Sequence, residues 1–131
     1  MPIASRRALL ALLPVLAIAA CAPKQGGAYA IFFPKDSAEL TPDARKLIAS
    51  AAAEAKNWNA KSIAVDGFAG AAGPKDANQE LSAKRAEAVV VALQQDGVSP
   101  ALIRRVEAHG EAGALPAVSV GDRRVEIRIA Y

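Results

Sequence analysis

The chain predicts an α/β sandwich of the α+β kind, in the order β-α-β-α-β-β, with two helices packed on one face of a small mixed sheet. Three observations predict it. Short runs of period two alternate with two longer runs of helical period. The last two strand-like runs are joined by a loop and not by a third helix. About 110 residues follow the single cysteine, enough for one core and not for two. Helices alternating with strands must bury their apolar stripes on a sheet, and this order places both on the same side.

The elements follow in turn. Residues 29–33 form a short aromatic and aliphatic run fit for a strand, ended by Pro34. Thr41-Pro42-Asp43 then supplies a capping hydroxyl, a proline at the first helical position and an acid near the positive helix end. Leu47, Ile48, Ala51, Ala52 and Ala55 make one apolar stripe, and the helix should end near Asn57-Trp58-Asn59. Ile63, Val65 and Gly67 alternate as a second strand, followed by a glycine-rich loop over 67–75. Asp76 is placed to cap the second helix, with Gln79 three residues on in capping-box spacing. That helix should run to about Gln95 and stop at Asp96-Gly97. Residues 105–109 read as a third strand, and Val125, Ile127 and Ile129 alternate with Glu126, Arg128 and Ala130 in a fourth. There is no repeat or low-complexity tract beyond alanine enrichment.

One side chain interrupts this pattern. Leu81, Arg85, Ala88, Val89, Ala92 and Leu93 share a helical face, which sets a full positive charge on the core-facing stripe. Arg85 is about two turns into its helix, so its stem can carry the guanidinium to the rim beside the glycine-rich loop. There its forked donors suit a ligand carboxylate. The alternative is a structural role, paired to Asp66, Asp76 or a loop carbonyl. Arg123 is in phase with Val125 and Ile127 and points to the helix-covered side, whereas Arg124 points away. The bland reading of both is solvated charge beside a strand.

The first twenty residues have the layout of an export signal. Arg6 and Arg7 supply the positive end, residues 8–17 an apolar run interrupted by Pro14, and Ile18-Ala19-Ala20-Cys21 closes it as a lipobox would. The run is shorter than the roughly 20 apolar residues of a spanning helix. The expected divisions are therefore a signal peptide at 1–20, a lipidated Cys21 with a short flexible tether at 21–28, and one domain at 29–131. The other readings of this segment are a retained anchor helix and a buried free thiol. Ser5-Arg6-Arg7 leaves the twin-arginine route open beside the general secretory one. Fully stretched, residues 22–27 reach about 20 Å, which keeps the domain close to its membrane.

Removing Arg6 and Arg7 leaves fourteen basic against thirteen acidic side chains, so the high pI of the whole chain belongs largely to its signal. A mature charge of about +1 gives no footing for nucleic acid. With its single cysteine at the tether, the domain has no disulfide and is held by its core.

Four motifs now carry a resemblance. Phe33-Pro34-Lys35-Asp36-Ser37-Ala38-Glu39-Leu40-Thr41-Pro42, Gly67 with its loop into Asn78-Gln79-Glu80-Leu81-Ser82-Ala83-Lys84-Arg85-Ala86, His109-Gly110-Glu111 and Asp122-Arg123-Arg124-Val125-Glu126-Ile127 together resemble the OmpA-like, peptidoglycan-binding domain. The resemblance extends from Tyr29 to the C-terminus and matches the layout of outer-membrane lipoproteins. It implies a fold of the kind already read. It further implies a ligand, the diaminopimelate zwitterion of the cell-wall stem peptide, held by a loop aspartate and a helix arginine. The arginine carries over to Arg85, and neighbouring contacts to Asp36, Asn78 and Arg123. The aspartate does not carry over: Gly67-Phe68-Ala69-Gly70 stands where the family has Gly-x-x-Asp, so Gly70 occupies the place of the ammonium's partner. Ala22 after the cysteine is not the aspartate linked to inner-membrane retention, which favours the outer membrane.

Catalysis has little to work with. Gly67, Gly70 and Gly73 lie between a strand and a helix, but their spacing is neither dinucleotide-binding nor P-loop and no Lys-Ser/Thr follows. One histidine, His109, and no thiol inside the domain leave a nucleophile-base pair or a zinc site short of parts. No enzyme, cofactor or metal is expected. The expected function is a lipid-anchored, non-catalytic link from envelope to peptidoglycan. The alternative is a degenerate OmpA-like scaffold that has lost this ligand and serves an envelope protein partner.

Overall fold

A computed structural model of the chain describes residues 26–70, 73–111 and 122–131. The expected signal, Cys21 and most of the tether lie outside the described residues. The elements are β1 (Ala28–Phe32), α1 (Pro42–Asn57), β2 (Ser62–Gly67), α2 (Lys75–Gln95), a 3-10 turn (Pro100–Leu102), β3 (Ile103–Ala108) and β4 (Arg124–Ala130). They form the expected sandwich. The sheet order is β1-β4-β2-β3, with β4 antiparallel to both neighbours and β2 parallel to β3. Helix α1 packs over β1 and α2 over β2 and β3, both on one face. The first strand begins a residue before the sequence expectation, and the Ile129 N–H already donates to the Gly27 carbonyl at 2.8 Å. The domain therefore takes up the last residues assigned to the tether.

Alternation decides which side chains enter the core. Ile31, Ile63, Val65, Val125, Ile127 and Ile129 from the strands meet Ile48, Ala51, Ala52, Ala55, Val89, Ala92 and Leu93 from the helices. Alanines on both helices let the backbones approach the sheet closely. Gly67 marks the tightest point, since a Cβ there would lie 2.3 Å from the Ser82 carbonyl oxygen on α2. Thr41 caps α1 as its sequence predicts, its Oγ1 accepting from the Ala44 N–H at 3.1 Å. Leu47 departs from expectation. It lies at the margin of the stripe and is exposed, while Ala44 takes a buried place.

Helix α2 departs in two ways. It starts after Pro74, which makes no side-chain cap bond, so Asp76 sits exposed in the first turn and the capping box is not formed. Gln79 instead crosses to β3, its Nε2 donating to the Ala108 carbonyl at 2.7 Å. The buried stripe is also rotated from the one read in the sequence. Asn78, Ser82 and Ala86 join it, while Leu81 and Ala88 move to its flanks. Arg85 consequently lies deeper than a rim position.

The opposite face of the sheet carries charge. Asp66 is fully buried there, hydrogen-bonded by His109 Nε2 at 2.7 Å, by Arg105 Nη2 at 3.3 Å and by Arg128. Burial raises its pKa, but the bonds from His109 and Arg128 and the fields of Arg128 and Arg105 outweigh it and hold the carboxyl below its ordinary value. His109 lies one residue past β3 and stacks on Phe68 at 4.9 Å, while Arg124 covers Phe68 at 4.4 Å and pairs with Glu126. Asp66, Glu107 and His109 offer three ligand atoms within 4.8 Å of one another. Arg105 Nη2 already bridges both carboxylates, at 3.3 Å and 2.8 Å, and supplies there the positive charge a metal ion would bring.

Candidate functional site

The loops after β1, β2 and β3 and the entrance to β4 converge at one end of the sheet, the end of Gly67 and Val125. Arg85 reaches this end from α2 with no part of its surface exposed. Its Nε donates to the Ser37 carbonyl at 2.8 Å, Nη1 to the Phe68 carbonyl at 3.2 Å and Nη2 to the Pro34 carbonyl at 3.0 Å. The Phe33 ring lies 5.3 Å from its guanidinium carbon. The first-strand loop and the glycine-rich loop are thus clasped together by one cation. Of the structural partners considered from sequence, the loop carbonyl is the one found; Asp66 faces the other side of the sheet.

The electrostatics of this cation are unbalanced. Among the described residues no carboxylate forms an ion pair with Arg85. Burial lowers its pKa, the Arg123 charge lowers it further and Asp36 opposes both. An arginine remains charged under such pressure. Three of its five N–H groups are used, leaving one on each terminal nitrogen. Among the described residues, half-buried Arg123 holds its Nε out of solvent with no hydrogen-bond partner. Two cations short of acceptors at one end of the domain are suited to an anion with a planar pair of oxygens.

The other site residues fall unequally. Asp36 is exposed in the turn after β1, in the left-handed region at φ +52°, and acts on Arg85 through its field. Arg123 lies beside Gly70, since a Cβ on Gly70 would sit 3.8 Å from Arg123 Cγ. Asn78 is buried and braces the loop, its Nδ2 donating to the Gly73 carbonyl at 3.4 Å. Arg85, Asp36 and Arg123 therefore lie close enough to act on one another through their charges, while Asn78 serves the glycine-rich loop. Gly70 itself has φ +84°, a conformation that favours glycine over a residue with a side chain.

Sequence reasoning passed over Ser82 as a site residue. Its hydroxyl donates to the Gln79 carbonyl and accepts the Gly110 N–H, both at 2.9 Å, tying the β3 exit to α2. A polar residue one helical turn from Arg85 on the buried stripe was the available signal. An opening of about 440 Å³ lies beside this tie, lined by Lys75, Asp76, Gln79, His109, Gly110 and Glu111. It does not include Arg85.

Comparison with known proteins agrees with this architecture. The profile of the OmpA family matches residues 32–128. A curated relative, an outer membrane protein of Gluconacetobacter diazotrophicus, is 34% identical over 119 residues, 81% of this chain and 31% of the relative. The chain thus spans about a third of that protein's length. Among solved structures, the OmpA-like domain of FopA1 from Francisella tularensis superposes with a TM-score of 0.70 at 29% identity, covering 77% of this chain and 70% of that one. The peptidoglycan-associated lipoprotein of Burkholderia pseudomallei gives 0.68 at 25% identity, covering 76% and 88%. The C-terminal domain of Helicobacter pylori MotB gives 0.67 at 26%, covering 80% and 86%. With its sheet order, its two helices and the profile match across most of its length, the chain belongs to the OmpA family.

Proposed function

We propose that this protein is a non-catalytic outer-membrane lipoprotein, acylated at Cys21 after removal of residues 1–20, whose periplasmic domain binds the peptidoglycan stem peptide and links envelope to wall. The observation that carries the reading is Arg85: a buried guanidinium that, among the described residues, keeps two N–H groups free and has no ion-pair partner, at the loop end of an OmpA-family domain. A stem-peptide carboxylate would supply the missing anion, with Arg123 as second donor and Asp36 as the nearby acid for an ammonium group. A relative named as an outer membrane protein and a structural neighbour named as a peptidoglycan-associated lipoprotein support the same reading. So does the lipobox-like end of the signal.

A second reading has its own observation. No part of Arg85 is exposed, and Gly70, held at φ +84°, offers no carboxylate to an ammonium group. A scaffold that has given up its ligand and meets an envelope protein would have these features. Co-sedimentation with purified peptidoglycan separates the two. On the first reading the wild type pellets, Arg123→Ala pellets less, and Arg85→Lys, which keeps the charge but not the fork, pellets less still while melting as a folded protein. Wild-type protein left wholly in the supernatant would leave the second reading standing.

A further inference from the structure

The sheet has a second end, opposite Arg85, where Ser62 pairs with Ala130. The Lys61 N–H donates to the Ala130 carbonyl, and the Ile129 N–H to Gly27, each at 2.8 Å. Lys56 Nζ reaches the Asp96 carbonyl at the end of α2 at 2.9 Å, and the Tyr29 and Tyr131 hydroxyls both donate to Glu54. Trp58, the single tryptophan of the chain, follows the last turn of α1 here. It is 58% exposed, more than any other large apolar side chain among the described residues. Lys56, Asn57, Asn59 and Lys61 around it are exposed as well.

Gly26, the first described residue, leaves from this same end. Four residues separate it from Cys21, and five links of chain extend at most about 18 Å. Acyl chains on Cys21 would therefore hold the Trp58 end, and not the Arg85 end, within about 18 Å of the lipid headgroups. We infer that the Trp58 end is a membrane-docking surface, with the indole in the headgroup layer of the leaflet that holds the acyl chains and Lys56 and Lys61 turned toward lipid phosphates. This rests on the reading of Cys21 as the lipidated residue.

The chemistry fits that occupant. An indole has an apolar body and one N–H, which suits the boundary between headgroup and hydrocarbon. Lysine stems lie along apolar surface while their ammonium groups stay with the phosphates. One tryptophan and two lysines are too few to hold a free domain on a bilayer. A short tether changes this by raising the effective concentration to the order of millimolar, so a contact of only millimolar affinity is substantially populated. The docked pose has a consequence for the wall. The six residues of β2 extend about 20 Å, so the Arg85 end is carried one strand length farther from the membrane.

The test uses the full chain expressed in a bacterial host with labelled palmitate, then reconstituted in vesicles of phosphatidylethanolamine and phosphatidylglycerol with acyl chains brominated near the headgroups. Fluorescence reports Trp58 alone. The expected result is a blue-shifted emission that loses most of its intensity to bromine, with Lys61→Gln lowering the ratio of docked to free domain about fivefold. Labelled protein whose emission ignores bromine and is quenched from water overturns the docking and leaves the anchor intact. Absence of label on Cys21 overturns the anchor and the docking together. A blue shift without vesicles that grows with protein concentration would instead mean that a second copy covers Trp58, and would also overturn it.

Discussion

Replacing Gly70 with aspartate adds an acid to the glycine-rich loop, and the structure sets the size of both effects. A Cβ at Gly70 would lie 3.6 Å from Asp122 Cβ and 3.8 Å from Arg123 Cγ, ordinary contact distances, so the side chain has room. The cost lies in the backbone, whose φ of +84° is left-handed. Such a conformation costs an L-residue about 1–2 kcal/mol, and aspartate tolerates it better than most. Taking about 1 kcal/mol, the variant should melt roughly 4–8 °C lower. Against this, a charge-assisted hydrogen bond to the ligand's ammonium contributes about 1.5–3 kcal/mol, an affinity gain of about 10- to 150-fold. Calorimetric titration with a diaminopimelate-containing stem peptide, beside a melting curve, reads both. A folded Gly70→Asp that binds no more tightly than wild type would refute the claim that the missing loop acid limits binding. A loss of stability several times larger would refute the claim that only the backbone resists the change.

Three further outcomes follow from the packing. Gly67→Ala places a methyl 2.3 Å from the Ser82 carbonyl and 3.1 Å from Ala86 Cβ, so α2 must lift from β2; denaturant unfolding should show a loss of at least about 1–3 kcal/mol. Tyr29 and Tyr131, the chain's two tyrosines, both have pKa values pushed up to about 12 from 10.0, Tyr29 chiefly by its hydrogen bond to Glu54 and Tyr131 by burial and then that bond. The folded state holds these protons more tightly, so this stability is full below about pH 10 and lost as the pH rises through about 12. Absorbance titration should show late ionisation in the wild type and earlier ionisation in Glu54→Gln. Asp66 has the opposite sign: its folded pKa is lowered, so its contribution is full above its unfolded value and disappears as the pH falls through the folded one. Asp66→Asn should cost about 1–2 kcal/mol at neutral pH, less than a wholly buried pair because Arg105 and Arg128 are half exposed. That difference should shrink below about pH 4.

The sheet and the first helix were legible because local chemistry and tertiary packing agree there. Ile127 and Ile129 alternate with Glu126 and Arg128 in the sequence and do so in β4, and Thr41-Pro42 starts α1 as its hydroxyl and fixed φ require. The start of α2 was less legible. Asp76 and Gln79 have the spacing of a cap, but the bond from α2 to the Ala108 carbonyl on β3 claims Gln79, and no local pattern reveals a partner twenty-nine residues away. The same limit governs Arg85. Its place on the apolar face was visible from periodicity, whereas the carbonyls that receive it belong to Pro34, Ser37 and Phe68, brought near only by the fold. A small rotation of the buried stripe, with Ser82 and Ala86 inside and Ala88 at its flank, turned an expected rim residue into a covered one.

The central claim is that the Arg85 guanidinium meets the carboxylate of a wall peptide. Its Nε–H can be followed by nuclear magnetic resonance in isotopically labelled protein, because the bond to Ser37 at 2.8 Å and complete burial protect it from exchange. Titration with a diaminopimelate-containing stem peptide should move this resonance and those of Asp36 and Arg123 along one saturating curve. A resonance that stays fixed while peptide binds elsewhere, or while no residue responds, would contradict the account.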